Sequence, residues 1–187
     1  MLNLCYYQAK GYDYIQESKD DNRGVNISMT LNLTMMSISS VLVVSSLLII
    51  YSILDVRERR VKNEIIFLGG AAGCVVLILT EHFAYNAVLH ITALLLVIPI
   101  SYALFRIGSL GGADVKGLLT VALLSPGVEL GDWNQPVLEA IGGLGGLLLA
   151  MLLGGYLFWR YKNRESSPPL IPFLLIGYLM VQLLALF

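Results

Sequence analysis

Six nearly charge-free apolar stretches dominate this chain: residues 33–54, 65–80, 84–105, 115–124 with its flanks, 137–159 and 170–187. Several approach the ~20 residues that a helix needs to cross a bilayer. The fourth is short, because Pro126 and Gly127 follow it closely, and it has room to begin inside the 111–116 segment. With 57% hydrophobic residues, 13% charged and a mean hydropathy of +0.75, the chain holds more apolar side chains than a soluble core can bury. They also come in blocks rather than in one-sided stripes. The expected fold is an all-α polytopic membrane protein of about six transmembrane helices. Glycines four apart in Gly69-Gly70-Ala71-Ala72-Gly73 and in Gly142-Gly143-Leu144-Gly145-Gly146 suit close packing of such helices. Residues 1–32 differ in kind, being polar and Tyr-rich with Asp13, Glu17, Asp20 and Asp21. They read as a flexible tail ahead of a membrane domain spanning residues 33–187.

Charge placement orients the spans. Of the 12 Lys and Arg residues, Lys10, Lys19 and Arg23 lie in the tail. The rest fall in alternate inter-span segments: Arg57, Arg59, Arg60 and Lys62 in the first, Arg106 and Lys116 in the third, Arg160, Lys162 and Arg164 in the fifth. The intervening segments, 81–85 and 125–136, hold no Lys or Arg but carry Glu81, Glu129 and Asp132. By the positive-inside rule the first, third and fifth segments face the cytoplasm. A multi-pass protein of the cytoplasmic membrane is expected, with its tail and Phe187 outside.

Two acids then stand out. Asp55 closes the first apolar run, and Asp114 stands in Gly111-Gly112-Ala113-Asp114-Val115-Lys116. An ionisable residue at a membrane edge marks a candidate functional site. Taken singly, Asp55 reads as a solvated helix cap. The glycines before Asp114 read equally as a plain hinge or as a place where backbone approaches a substrate. The topology, however, brings both carboxylates to the cytoplasmic face at similar depth. Paired carboxylates there can share a proton and activate a water, and Lys116 is positioned to steady the charge on Asp114.

Two segments resemble the signatures of the type IV prepilin and preflagellin (archaellin) peptidases. Asp55-Val56-Arg57-Glu58-Arg59-Arg60-Val61-Lys62-Asn63 resembles their first-aspartate segment, in which an Asp at a helix end is followed by basic residues and then an Asn. Gly111-Gly112-Ala113-Asp114-Val115-Lys116 resembles their Gly-x-Gly-Asp motif in the Gly-Gly-Ala-Asp-x-Lys form of archaeal members, with Ala113 where the general motif has glycine. The resemblance covers residues 33–187 and leaves the tail aside. It implies an intramembrane aspartic endopeptidase that removes the basic leader from pilin-like or archaellin precursors at the cytoplasmic face, ahead of the hydrophobic helix that follows. Asp55 and Asp114 would be the catalytic pair, supported by Gly111, Gly112, Ala113, Lys116, Arg57 and Asn63. The implied partners are the precursor and the lipid bilayer; nucleic acid is not expected. Glu58, Glu64 and Glu165, the acids nearest the cytoplasmic face, are candidates to meet the leader's basic residues, although each serves equally as a solvated counter-charge. The cysteine-paired cytoplasmic domain of large bacterial members has no counterpart, so methyltransferase activity is not expected.

No metal or cofactor is expected. Cys5 and Cys74 are isolated, His82 has no partner spacing, and His90 is alone in an apolar span, where it reads as hydrogen-bonded within the bundle. Neither His-Glu-x-x-His nor Gly-x-Ser-x-Gly occurs. Pro168-Pro169 open the last span and Pro172 follows one turn in, which predicts a locally broken helix beside the cytoplasmic face. In related intramembrane aspartic proteases such a segment borders the active site, although simple helix initiation accounts for these prolines at least as well. The rival reading is a small proton- or cation-coupled carrier or an assembly subunit using the same two aspartates. Against it, both acids sit beside basic loops rather than near the midplane, and no repeat relates the halves.

Overall fold

The structure, a computed structural model, describes residues 29–31, 35–58, 61–133, 135–162 and 168–184. In chain order the elements are β1 (Met29–Leu31), α1 (Met35–Glu58), α2 (Asn63–Leu79), α3 (His82–Tyr85), α4 (Ala87–Arg106), α5 (Gly112–Leu124), β2 (Gly131–Trp133), α6 (Pro136–Tyr161) and α7 (Ile171–Leu184). Among the described residues α1, α4 and α6 are each long and apolar enough to cross a membrane, and α2 and α7 are shorter apolar helices. Large apolar side chains such as Phe67 and Leu79 lie on the outside of the bundle, each 78% exposed. Lipid tolerates such a surface and water does not.

Helix α5 is the enclosed one. It has 13 residues, which makes it about 20 Å long, short of the ~30 Å hydrocarbon core. Leu118, Val121, Ala122 and Leu124 are wholly buried among α4, α2, α1 and α7. Where the helix stops, the Ser125 N–H makes its last helical bond, to the Val121 carbonyl at 2.8 Å, and Pro126 to Glu129 stay buried outside any helix. Backbone of that kind persists at membrane depth only inside protein that satisfies it. Here the Glu139 Oε1 accepts from the Val128 N–H at 3.0 Å, and the Gln182 Nε2 donates to the Gly127 carbonyl at 3.1 Å. Ser125 Oγ and the Tyr178 hydroxyl share a hydrogen bond of 2.9 Å, and Ser40 Oγ donates to the Leu124 carbonyl at 3.0 Å.

Around α5, α6 packs against α7 and α4, while α7 also packs on α1. Glycines serve the close helix contacts. A Cβ at Gly69 would collide with the Tyr51 hydroxyl, one at Gly73 would lie 2.6 Å from Leu124 Cδ1, and one at Gly177 would lie 2.7 Å from Ala150 Cβ. Small residues at these points are what let the helices close up.

One sequence expectation changes in detail. Helix α7 is unbroken from Ile171 to Leu184. Pro172 falls in its first turn, where the missing N–H has no helical partner to lose. Ahead of α1, β1 pairs antiparallel with β2, Met29 opposite Trp133, Thr30 opposite Asp132 and Leu31 opposite Gly131. The rest of the tail lies outside the described residues.

Candidate active site

Asp114 owes its position to a turn that only a glycine makes without strain. Gly108 has φ 81°, and its N–H donates to the Phe105 carbonyl while Ser109 N–H donates to Leu104, both at 3.0 Å, closing α4. The chain then re-enters a helix at Gly112, which makes Asp114 the third residue of α5. Its Oδ2 folds back to accept the Gly111 N–H at 2.9 Å. A Cβ at Gly111 would lie 2.8 Å from that oxygen, so glycine there leaves room for the carboxylate. A carboxylate at this position caps the helix and meets the positive end of its dipole.

Asp55 reaches a comparable setting from the other direction. It lies in the last turn of α1, and its Oδ2 accepts from the Ile171 N–H, the first of α7, at 3.4 Å. That N–H has no partner within its own helix. Thus each carboxylate meets the N-terminal end of a helix other than α1, Asp114 that of α5 and Asp55 that of α7.

Both aspartates are buried, each 8% exposed, and both line one cavity of about 1140 Å³. They are near enough for the charge of Asp55 to act on Asp114. Three inter-helix segments supply the rim, represented by Lys62, Gly108 and Pro169. These segments therefore share one end of the bundle. On one wall Lys116 Nζ donates to Asn63 Oδ1, tying the start of α5 to the start of α2. Leu152, Gly155, Tyr156 and Trp159 of α6 line the cavity as well.

Of the residues singled out in the sequence, Asp55, Asp114, Gly111, Gly112, Ala113, Lys116 and Asn63 all border this cavity. Arg57 and Glu58 are exposed at the end of α1 and do not. Glu64 is exposed and lines a neighbouring groove. Glu165 lies outside the described residues. Sequence reasoning missed the α6 wall. Its only signal was the run of aromatics Tyr156, Trp159 and Tyr161 near the end of a span, which reads first as an interfacial belt.

At the opposite end the structure corrects the isolation of His82. Its Nε2 lies 3.5 Å from Glu129 Oε1, and both side chains are buried. The His90 ring stands edge-on to His82 with centroids 5.2 Å apart, and against Phe83 at 4.6 Å. Among the described residues no group of three or more His, Cys, Asp or Glu side chains is arranged to hold a metal ion.

Two buried carboxyls lining one cavity, each accepting from backbone at the start of a helix, form an arrangement suited to acid–base work on a bound chain. The profile of the type IV leader peptidase family matches residues 42–186. That stretch contains both aspartates and every wall of the cavity. No curated protein and no solved structure matches the chain.

Proposed function

The chain belongs to the type IV leader peptidase family, and from that premise we propose that it is an archaeal-type aspartic prepilin or preflagellin peptidase whose catalytic pair is Asp55 and Asp114. Membership makes it a membrane peptidase acting on pilin-like precursors. The observation that carries the finer reading is that two acids on separate helices line a single cavity. In the proposed reaction the pair acts as one unit. The ionised carboxylate takes a proton from water as the water oxygen attacks the scissile carbonyl carbon, and the protonated partner donates to the carbonyl oxygen. Collapse then breaks the C–N bond, and a proton passes to the departing amine. The helix ends at the two carboxylates favour the negative charge that such a dyad carries.

Orientation follows from the same end of the bundle. The cavity rim includes Lys62 and Lys116, with Arg57 and Arg106 close by in sequence, so the positive-inside rule turns it to the cytoplasm. A basic leader would then arrive from the side where Glu58 and Glu64 stand. A carrier would need its acids near the midplane between two access routes, and a cavity at one end favours the peptidase.

The test is leader removal from a pilin-like precursor in membranes, read by gel shift at matched expression. Asp55→Asn and Asp114→Asn keep size and much of the hydrogen bonding but cannot exchange the proton, so each should cut the rate by about 10²–10⁴-fold. The double variant should be little worse than either single one, and Asp114→Glu should also be impaired because an added methylene moves the carboxylate. Normal cleavage by either Asn variant would remove the protein from the aspartic peptidases and favour the carrier.

A further inference from the structure

A second hollow, about 810 Å³, runs along the outer face where α2 meets α5. Phe67, Gly70, Ala71 and Cys74 line it from α2, and Leu119 and Leu123 from α5. From Asn63 to Cys74 it follows α2 for about 16 Å at the helical rise. Its polar groups gather toward one end, where Asn63, Glu64, Lys116 and Thr120 stand. Thr120 spends its hydroxyl on the Lys116 carbonyl at 2.9 Å. Asn63 and Lys116, hydrogen-bonded to each other, border both this groove and the aspartate cavity. The two hollows therefore adjoin at that one link.

The groove also holds a glycine that the fold itself does not need. Gly69 and Gly73 each touch a neighbouring helix, but a side chain at Gly70 would meet nothing within 4 Å. In lipid, apolar surface alone does not draw helices together; close approach over small residues does. Gly70 and Cys74, one turn apart with Ala71 between, offer such a strip facing an unfilled space.

Resting on the peptidase reading, we infer that this groove seats the apolar helical segment of the precursor beyond the scissile bond. The precursor chain crosses the Lys116–Asn63 link into the aspartate cavity, and its basic leader lies beyond the aspartates, on the far side from the groove. The helix is thereby held along α2 and α5 while the junction beside it is left to extend over Asp55 and Asp114.

Two measurements test this. Gly70→Phe fills the groove without touching the fold, so it should raise KM for the full-length precursor by about tenfold, the loss of roughly two buried methylenes of contact. Cleavage of a short leader-junction peptide without the apolar segment should stay within about twofold, because the catalytic cavity is untouched. An unchanged KM for the full precursor, as expected if the groove holds only lipid, would overturn the inference. If Gly70→Phe loses both activities, cross-linking decides. In a Cys5→Ser, Cys74→Ala, Asp114→Asn background, which retains uncleaved precursor, Ala71→Cys should form a disulfide with a cysteine in the precursor's apolar segment. Leu95→Cys, on the exposed face of α4, should not. Equal linking at both positions, or none at Ala71→Cys, sinks the groove. Should the unmodified protein fail to cleave the precursor at all, the peptidase reading itself fails.

Discussion

Asp114 combines two demands in one side chain. Its bond to the Gly111 N–H is an ordinary helix cap, and the same carboxyl borders the cavity shared with Asp55. A sequence reader sees the acid and its glycines, because both roles require residue types that are conspicuous beside an apolar run. Buried polar residues at the other end were not legible in this way. Glu139 and Gln182 look like stray polar positions in apolar spans until the structure shows them holding the backbone of residues 127–130. Glu139→Ala would leave the Val128 N–H orphaned in the interior, at a cost of about 1–3 kcal/mol. We expect a lowered melting temperature in detergent for Glu139→Ala and substantial rescue by Glu139→Gln, whose amide oxygen still accepts. Equal melting temperatures for Glu139→Ala and the unmodified protein would show that the loop does not depend on this bond.

At the scale of the element, neighbouring glycines on α2 have opposite surroundings. Gly69 faces α1, where an added side chain would run into Leu47 and into Tyr51, whose hydroxyl donates to the Ile66 carbonyl at 3.1 Å. Gly70, one step round the helix, faces open space. Overpacking a closed contact costs about 1–3 kcal/mol, so Gly69→Leu should lower the melting temperature by several degrees while Gly70→Leu leaves it near the original. Equal losses at the two positions would contradict the packing of α1 on α2. The sequence showed that Gly69 and Gly73 share a face; which helix met that face was open until tertiary packing brought α1 and α5 to it. The short α5 has a similar history. Its apolar length was visible, but the inward fold of residues 125–130 was not, because it depends on side chains from α6 and α7.

For the whole molecule, the clearest consequence is the division of its two ends. Residues 61–62, 108–111 and 168–170 meet around the aspartate cavity, whereas α3, Glu129 and the β1–β2 ribbon belong to the opposite end. If the cavity faces the cytoplasm, an impermeant maleimide added to intact cells should label Asp132→Cys and should reach Glu58→Cys only after permeabilisation. The reverse pattern would turn the cavity outward and separate it from a cytoplasmic leader. The ribbon adds a constraint, since pairing of β1 with β2 puts residues 29–31 on the same side as residues 131–133.

The sequence alone determined that the chain lives in lipid, roughly where its helices run and that Asp55 and Asp114 stand near one face. Each of these follows from local composition: hydropathy is summed along the chain, and basic residues sort loops one at a time. Only the tertiary structure decided that Trp159 and Tyr156 line the cavity, that His82 meets Glu129, and that α2 and α5 leave a groove beside the cavity, sharing Asn63 and Lys116 with it. Those facts depend on which faces of distant helices touch. In an apolar bundle nearly every face is hydrophobic, so periodicity carries little of that information, and the choice falls to the shapes of small residues and the few buried polar groups that need partners.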